Sequence, residues 1–136
     1  YLGDLNAKAE AFAERGVDIF VASNDDAERA TAAKEGWKLD KLTVGYGLAL
    51  EDARRWGLYV SSGRGKTSIG IEEPALFSEP GLFLIRPDGT LYFGTTQTMP
   101  FARPRFEDIL PAIDFVLKAD YPARGEVVDH TATAPA

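Results

Sequence analysis

The 136-residue sequence has no cysteine, and only one histidine and one methionine. Without cysteine there is no disulfide, no thiolate nucleophile and no thiolate zinc site. The single histidine, His130, stands in a polar tail. A Ser-His-Asp arrangement, or any other histidine-based acid/base system, therefore has no base to work with. Basic charge is also short, with 15 Lys and Arg against 21 Asp and Glu and a formal charge of −6. That balance argues against a nucleic-acid or anionic-membrane partner, either of which needs a basic face. No apolar run approaches the ~18 residues of a membrane span. The opening Tyr1-Leu2-Gly3-Asp4-Leu5-Asn6 lacks the basic-then-apolar order of a signal peptide. A cytoplasmic protein is the default expectation, with no metal and no cofactor.

What is present suits one globular domain: 45% hydrophobic and 26% charged residues, in a chain long enough to bury a single core. The sequence opens on a bulky tyrosine, and its sole methionine is Met99. The expectation is a piece of a longer polypeptide, with a domain over residues 1–125 and a disordered polar tail over 126–136.

Leu2, Leu5, Ala9, Phe12 and Ala13 share one face at helical spacing, and Gly16 supplies the stop. Val17–Ser23, short and apolar with β-branched residues, predicts a strand covered on both faces, as in a parallel sheet. A second helix is expected to open on Asp25, with Glu28 three residues on, and to end at Gly36. A short strand over Leu42–Tyr46 and a helix ending near Trp56-Gly57 follow. Alternation of strand and helix marks an α/β layered fold.

Periodicity fades from Leu58 to Ser78, which reads as a long loop. Leu82–Arg86, a Pro87-Asp88-Gly89 turn and Thr90–Gly94 predict an antiparallel hairpin. A final helix runs from Phe106 to Ala119, with Phe106, Ile109, Ile113, Val116 and Leu117 on its buried stripe and Pro111 as its one irregularity.

Three candidate sites reduce to structural readings. Gly65-Lys66-Thr67 copies the end of a phosphate loop, but Val60 stands where the first glycine belongs and no strand feeds a helix there. Glu72 and Glu73 are consecutive, and adjacent residues rarely converge on one cation or one proton. Trp37, Tyr46, Trp56, Tyr59, Phe77 and Phe101 are scattered without basic residues between them, which predicts core packing rather than a stacking surface.

The stretch Ser78-Glu79-Pro80-Gly81-Leu82-Phe83-Leu84-Ile85-Arg86-Pro87-Asp88-Gly89 puts a proline just ahead of an apolar strand, where it cannot donate to a ladder. Together with Tyr1–Asp25, Gly45–Ser61, Gly65–Phe93 and Thr98–Glu126, it resembles a peroxiredoxin-like branch of the alkyl hydroperoxide reductase/thiol-specific antioxidant (AhpC/TSA) superfamily. The resemblance implies a thioredoxin-like three-layer α/β/α sandwich with a mixed sheet. It lacks the N-terminal strand that precedes the active-site helix, and the opening helix is that helix, entered just after the family's redox cysteines. Pro80 stands where the family carries a cis-proline. Ser78, Glu79, Pro80 and Gly81 are then the substrate-binding positions, and no catalytic residue carries over.

The function implied is thiol-dependent antioxidant or disulfide exchange by a parent protein, with a peroxide or a thiol/disulfide partner. The chain itself would be inactive. The alternative is a non-enzymatic thioredoxin-fold module that binds a protein or peptide near Pro80. A missing strand would leave open edges on Val17–Ser23 and Leu82–Arg86, so rearrangement, instability or exchange with a second copy in a homodimer is expected.

Overall fold

The structure is a computed structural model, and it describes residues 1–63 and 75–127. Its α/β composition agrees with the alternation of periods in the sequence. The opening helical stripe folds as two short segments, α1 (Leu2–Ala7) and α2 (Ala9–Glu14), joined at Lys8. Leu5 and Phe12 are buried and Leu2 and Ala9 half-buried, whereas Ala13 is exposed. Strand β1 (Phe20–Ala22) follows, then α3 (Ala27–Gly36), β2 (Thr43–Gly45) and α4 (Leu50–Arg55). The α3 cap is Asp26 rather than Asp25, and its side chain accepts from Arg29 N–H at 2.8 Å. A cap one residue later leaves the Asp25 backbone free to accept from Gly47 N–H.

The segment read as a loop contains β3 (Val60–Ser62) and β4 (Leu76–Ser78), paired antiparallel. Three-residue strands carry too few alternations for a period of two to register. β5 (Gly81–Ile85) and β6 (Leu91–Thr96) form the expected hairpin, antiparallel with an irregularity at Leu84/Ile85. At its turn Gly89 takes φ +88, and Asp88 Oδ1 accepts from Thr90 N–H at 2.9 Å and from Thr90 Oγ1 at 2.6 Å. Helix α5 spans Phe106–Ala119 as predicted.

The described strands make three two-stranded sheets: β1 parallel to β2, β3 antiparallel to β4, and β5 antiparallel to β6. One cluster serves two of them. Leu5, Phe12, Leu39, Leu42, Phe106, Ile109 and Ile113 are its buried members, and Val21 of β1, Val44 of β2 and Leu82 and Leu84 of β5 pack against it. Phe83 points to the other face of β5, where the Trp56 ring at the end of α4 meets it at 4.9 Å between centroids. Apolar side chains therefore pack on both faces of β5.

β1 is not covered on both faces as its composition predicts. Val21 turns inward, but Phe20 is 72% exposed, because β1 pairs with β2 alone and nothing described covers its second face. Leu117 at the end of α5 is likewise exposed, since the helix outruns the cluster it packs on. The scattered aromatics are not core residues either. Trp37, Tyr46, Trp56, Tyr59 and Phe101 are exposed and Phe77 is half-buried, because two-stranded sheets offer too little surface to enclose them.

Candidate functional site

The C-terminal ends of parallel strands are where open α/β sheets hold ligands, since the chain turns there and leaves backbone groups to be satisfied. Ser23, Asn24 and Asp25 occupy that position after β1, and Tyr46, Gly47 and Leu48 after β2. The two ends are laced together: Gly47 N–H donates to the Asp25 carbonyl at 2.7 Å and Leu48 N–H to the Ser23 carbonyl at 2.9 Å.

Asn24 connects this junction to the β3–β4 sheet. Its Nδ2 donates to the Leu48 carbonyl at 2.7 Å. Its Oδ1 accepts from Ser78 N–H at 2.6 Å and from Ser78 Oγ at 2.7 Å. One half-buried amide thus joins three chain segments, and each of its polar atoms is used in the sense its chemistry allows.

Ser78 ends β4 and Gly81 begins β5, so Ser78, Glu79, Pro80 and Gly81 form the bridge between two sheets. Glu79 is 8% exposed, and its N–H donates to the Tyr59 carbonyl at 2.7 Å. The Pro80 carbonyl accepts from Gln97 N–H at 3.1 Å, which ties the start of β5 to the residue after β6. Gly81 is closely packed: a Cβ there would fall inside the contact radius of Leu58 Cδ2 and lie 3.0 Å from Phe83 Cε2, so those side chains would have to shift.

One expectation needs correcting. No described peptide bond is cis, so Pro80 lacks the geometry that the resemblance implies. With Glu79 N–H and the Pro80 carbonyl both satisfied on an extended chain, the ordinary trans preference stands. The bridge can position a neighbouring group and exchange hydrogen bonds. It contains a carboxylate and a hydroxyl but no thiol or imidazole. Sequence reading missed Asn24 because its partner Ser78 is 54 residues away. The signal available was a Ser-Asn pair between an apolar strand and a helix cap.

A second polar region surrounds the first residue. The Tyr1 hydroxyl donates to the Pro104 carbonyl at 2.6 Å, and its ring stacks on Phe106 at 4.5 Å with the Arg103 guanidinium 5.0 Å from its centroid. Burial pushes the Tyr1 phenol up, against the opposing pull of Arg103. Lys8 bonds Asp4 and lies 3.3 Å from Glu107, and the Asp4 contact raises its ammonium pKa.

The phosphate-loop residues Gly65-Lys66-Thr67, the pair Glu72-Glu73 and His130 lie outside the described residues. Among the described residues no cluster of His, Cys, Asp and Glu could hold a metal ion, and no helix is long and apolar enough to cross a membrane. No protein-family model matches the chain, and no curated protein and no solved structure matches it.

Proposed function

We propose that this chain is the thioredoxin-like scaffold of a peroxiredoxin-like, thiol-dependent oxidoreductase whose reactive sulfur lies on polypeptide outside the sequence. The observation that carries the reading is the relation of β1 to β5. Val21 and Leu82/Leu84 pack against one core, yet the two strands share no ladder among the described residues. A cysteine-bearing strand set between them would join the β1–β2 and β5–β6 pairs into one mixed sheet. A second observation supports it. The connector after β6 touches Pro80 through Gln97 N–H and Tyr1 through the Pro104 carbonyl, so the β5 entrance and the opening helix sit at the two ends of one short segment.

In the complete protein a thiolate would attack the peroxide O–O bond. It would be oxidised to a sulfenic acid while the peroxide leaves as water or an alcohol, and a second thiol would then condense with the sulfenic acid and release water. The residues of this chain contribute shape and hydrogen bonds, with the Ser78–Gly81 bridge bordering the sulfur. The chain alone, without cysteine, turns nothing over. The alternative, a module binding a peptide at Pro80, has fewer free groups to use, because Ser78 N–H, Glu79 N–H and the Pro80 carbonyl are already bonded within the chain.

The test is to express the chain with the residues encoded immediately upstream and to follow dithiothreitol-dependent peroxide consumption. Turnover that disappears when the upstream cysteine is replaced by serine supports the reading. An upstream segment without cysteine, or a longer protein without turnover, overturns it.

A further inference from the structure

The outer edge of β6 has no ladder partner among the described residues. The groups it presents follow from the ladder on its other side. Gln97 N–H donates to the Pro80 carbonyl at 3.1 Å, and from there Gly81 stands opposite Thr96 and Phe83 opposite Gly94. Antiparallel pairs alternate between bonded and unbonded, so Phe93, Thr95 and Gln97 turn their N–H and C=O groups to β5. Gly94 and Thr96 turn theirs outward, and no backbone group of a described residue bonds them. The irregularity at Leu84/Ile85 ends this regular edge at Phe93.

Phe93 lies directly opposite Leu84, so the two share one face of the hairpin. Leu84 packs against the central cluster, yet Phe93 is 38% exposed. The apolar face of the sheet thus runs past the core that covers it. Edge strands that stay single are commonly guarded by a charge or a proline. β6, at six residues the longest described strand, carries neither, and no residue from Thr90 to Ala102 is charged. Leu91, Met99 and Phe101 in the same run are exposed as well. An apolar surface depleted of charge has the composition of a homodimer interface, whereas surfaces that meet other partners transiently are no more apolar than the rest of a protein.

We infer that the outer edge of β6 pairs antiparallel with the same edge of a second copy, about a two-fold axis beside Thr95. Gly94 of each copy then faces Thr96 of the other, and about four N–H···O=C bonds close the two edges. Thr95 meets its own counterpart, a favourable cross-strand pair, and Phe93 gains cover from Gln97 of the other copy. An uncharged strand brings no like charges together at the axis, which self-pairing requires. The inference is independent of the redox reading, because it leaves the β1 and β5 edges unused.

The test is sedimentation of the full chain from about 5 μM to 1 mM, with amide hydrogen exchange at both ends of that range. A monomer–dimer equilibrium with Kd on the order of 100 μM is expected, as for a small interface. Exchange at Gly94 and Thr96 should slow about fivefold at the higher concentration, while Val21 and Val44 amides stay unchanged. Thr96→Pro removes only an outward donor, which an edge strand tolerates, and Phe93→Lys sets a charge on the edge. Each should remain monomeric at about 1 mM with a cooperative thermal melt; should one fail to fold, the other and the exchange data decide. A monomer at about 1 mM overturns the inference. So does a dimer that protects β1 or β5 instead, a dimer undiminished in a folded variant, or protection at Gly94 and Thr96 that is independent of concentration.

Discussion

Replacing Asn24 by alanine gives the sharpest check on how the Ser78–Gly81 bridge is held. The change removes three side-chain hydrogen bonds, to Leu48 O, Ser78 N–H and Ser78 Oγ. Each is worth about 1 kcal/mol net, and the Leu48 carbonyl and Ser78 N–H are left half-buried without those partners, so the loss sums to about 2–3 kcal/mol. For a domain of this size that corresponds to a fall in Tm of roughly 8–12 °C. Urea unfolding followed by tryptophan fluorescence measures it, as a lower midpoint at unchanged slope.

Ser78→Ala removes only the hydroxyl donor and should cost about 1 kcal/mol, and the double variant should fall short of the sum of the singles by a similar amount. Asn24→Asp keeps the acceptor for Ser78 but sets a carboxylate oxygen against the Leu48 carbonyl, so it should recover only part of the loss. If Asn24→Ala unfolds within about 0.5 kcal/mol of the parent chain, the junction described above does not hold these segments together and the reasoning fails.

Two further outcomes follow from local geometry. Gly81→Ala should destabilise by about 1–3 kcal/mol through its clash with Leu58, and Leu58→Ala in the same chain should relieve part of that strain, as read by thermal unfolding; simple additivity of the two losses would refute the packing account. Asp88 has its carboxyl held below the ordinary range, chiefly by the Thr90 hydroxyl bond. A folded-state value below the unfolded one contributes stability above the unfolded value, and that contribution is lost as pH falls through the folded one. The β5–β6 turn should therefore weaken below about pH 4, and Asp88→Asn should flatten that acid dependence in hairpin amide-exchange measurements.

Much of the architecture was legible in the residues themselves. The α5 boundaries match because Phe106, Ile109 and Ile113 set a helical spacing within its fourteen residues. The hairpin matches because Pro87-Asp88-Gly89 leaves few backbone alternatives. Long periodic runs and turn chemistry are local properties, and local properties can be read from order alone.

Other features were decided only in three dimensions. β3 and β4 exist because Val60–Ser62 meets Leu76–Ser78 across a wide separation, not because either segment shows a period. Exposure of Phe20 inverts a composition-based expectation, since burial depends on which elements arrive to cover a residue. Asn24 is the clearest case. In the sequence it is a polar residue before a helix cap, and its role appears only when folding brings Ser78 and Leu48 within 3 Å of its amide. The sequence alone excluded thiol and disulfide chemistry within this chain, because an absent cysteine stays absent in any fold. Which polar groups meet was left to tertiary structure, because hydrogen bonds between distant segments depend on packing rather than on order.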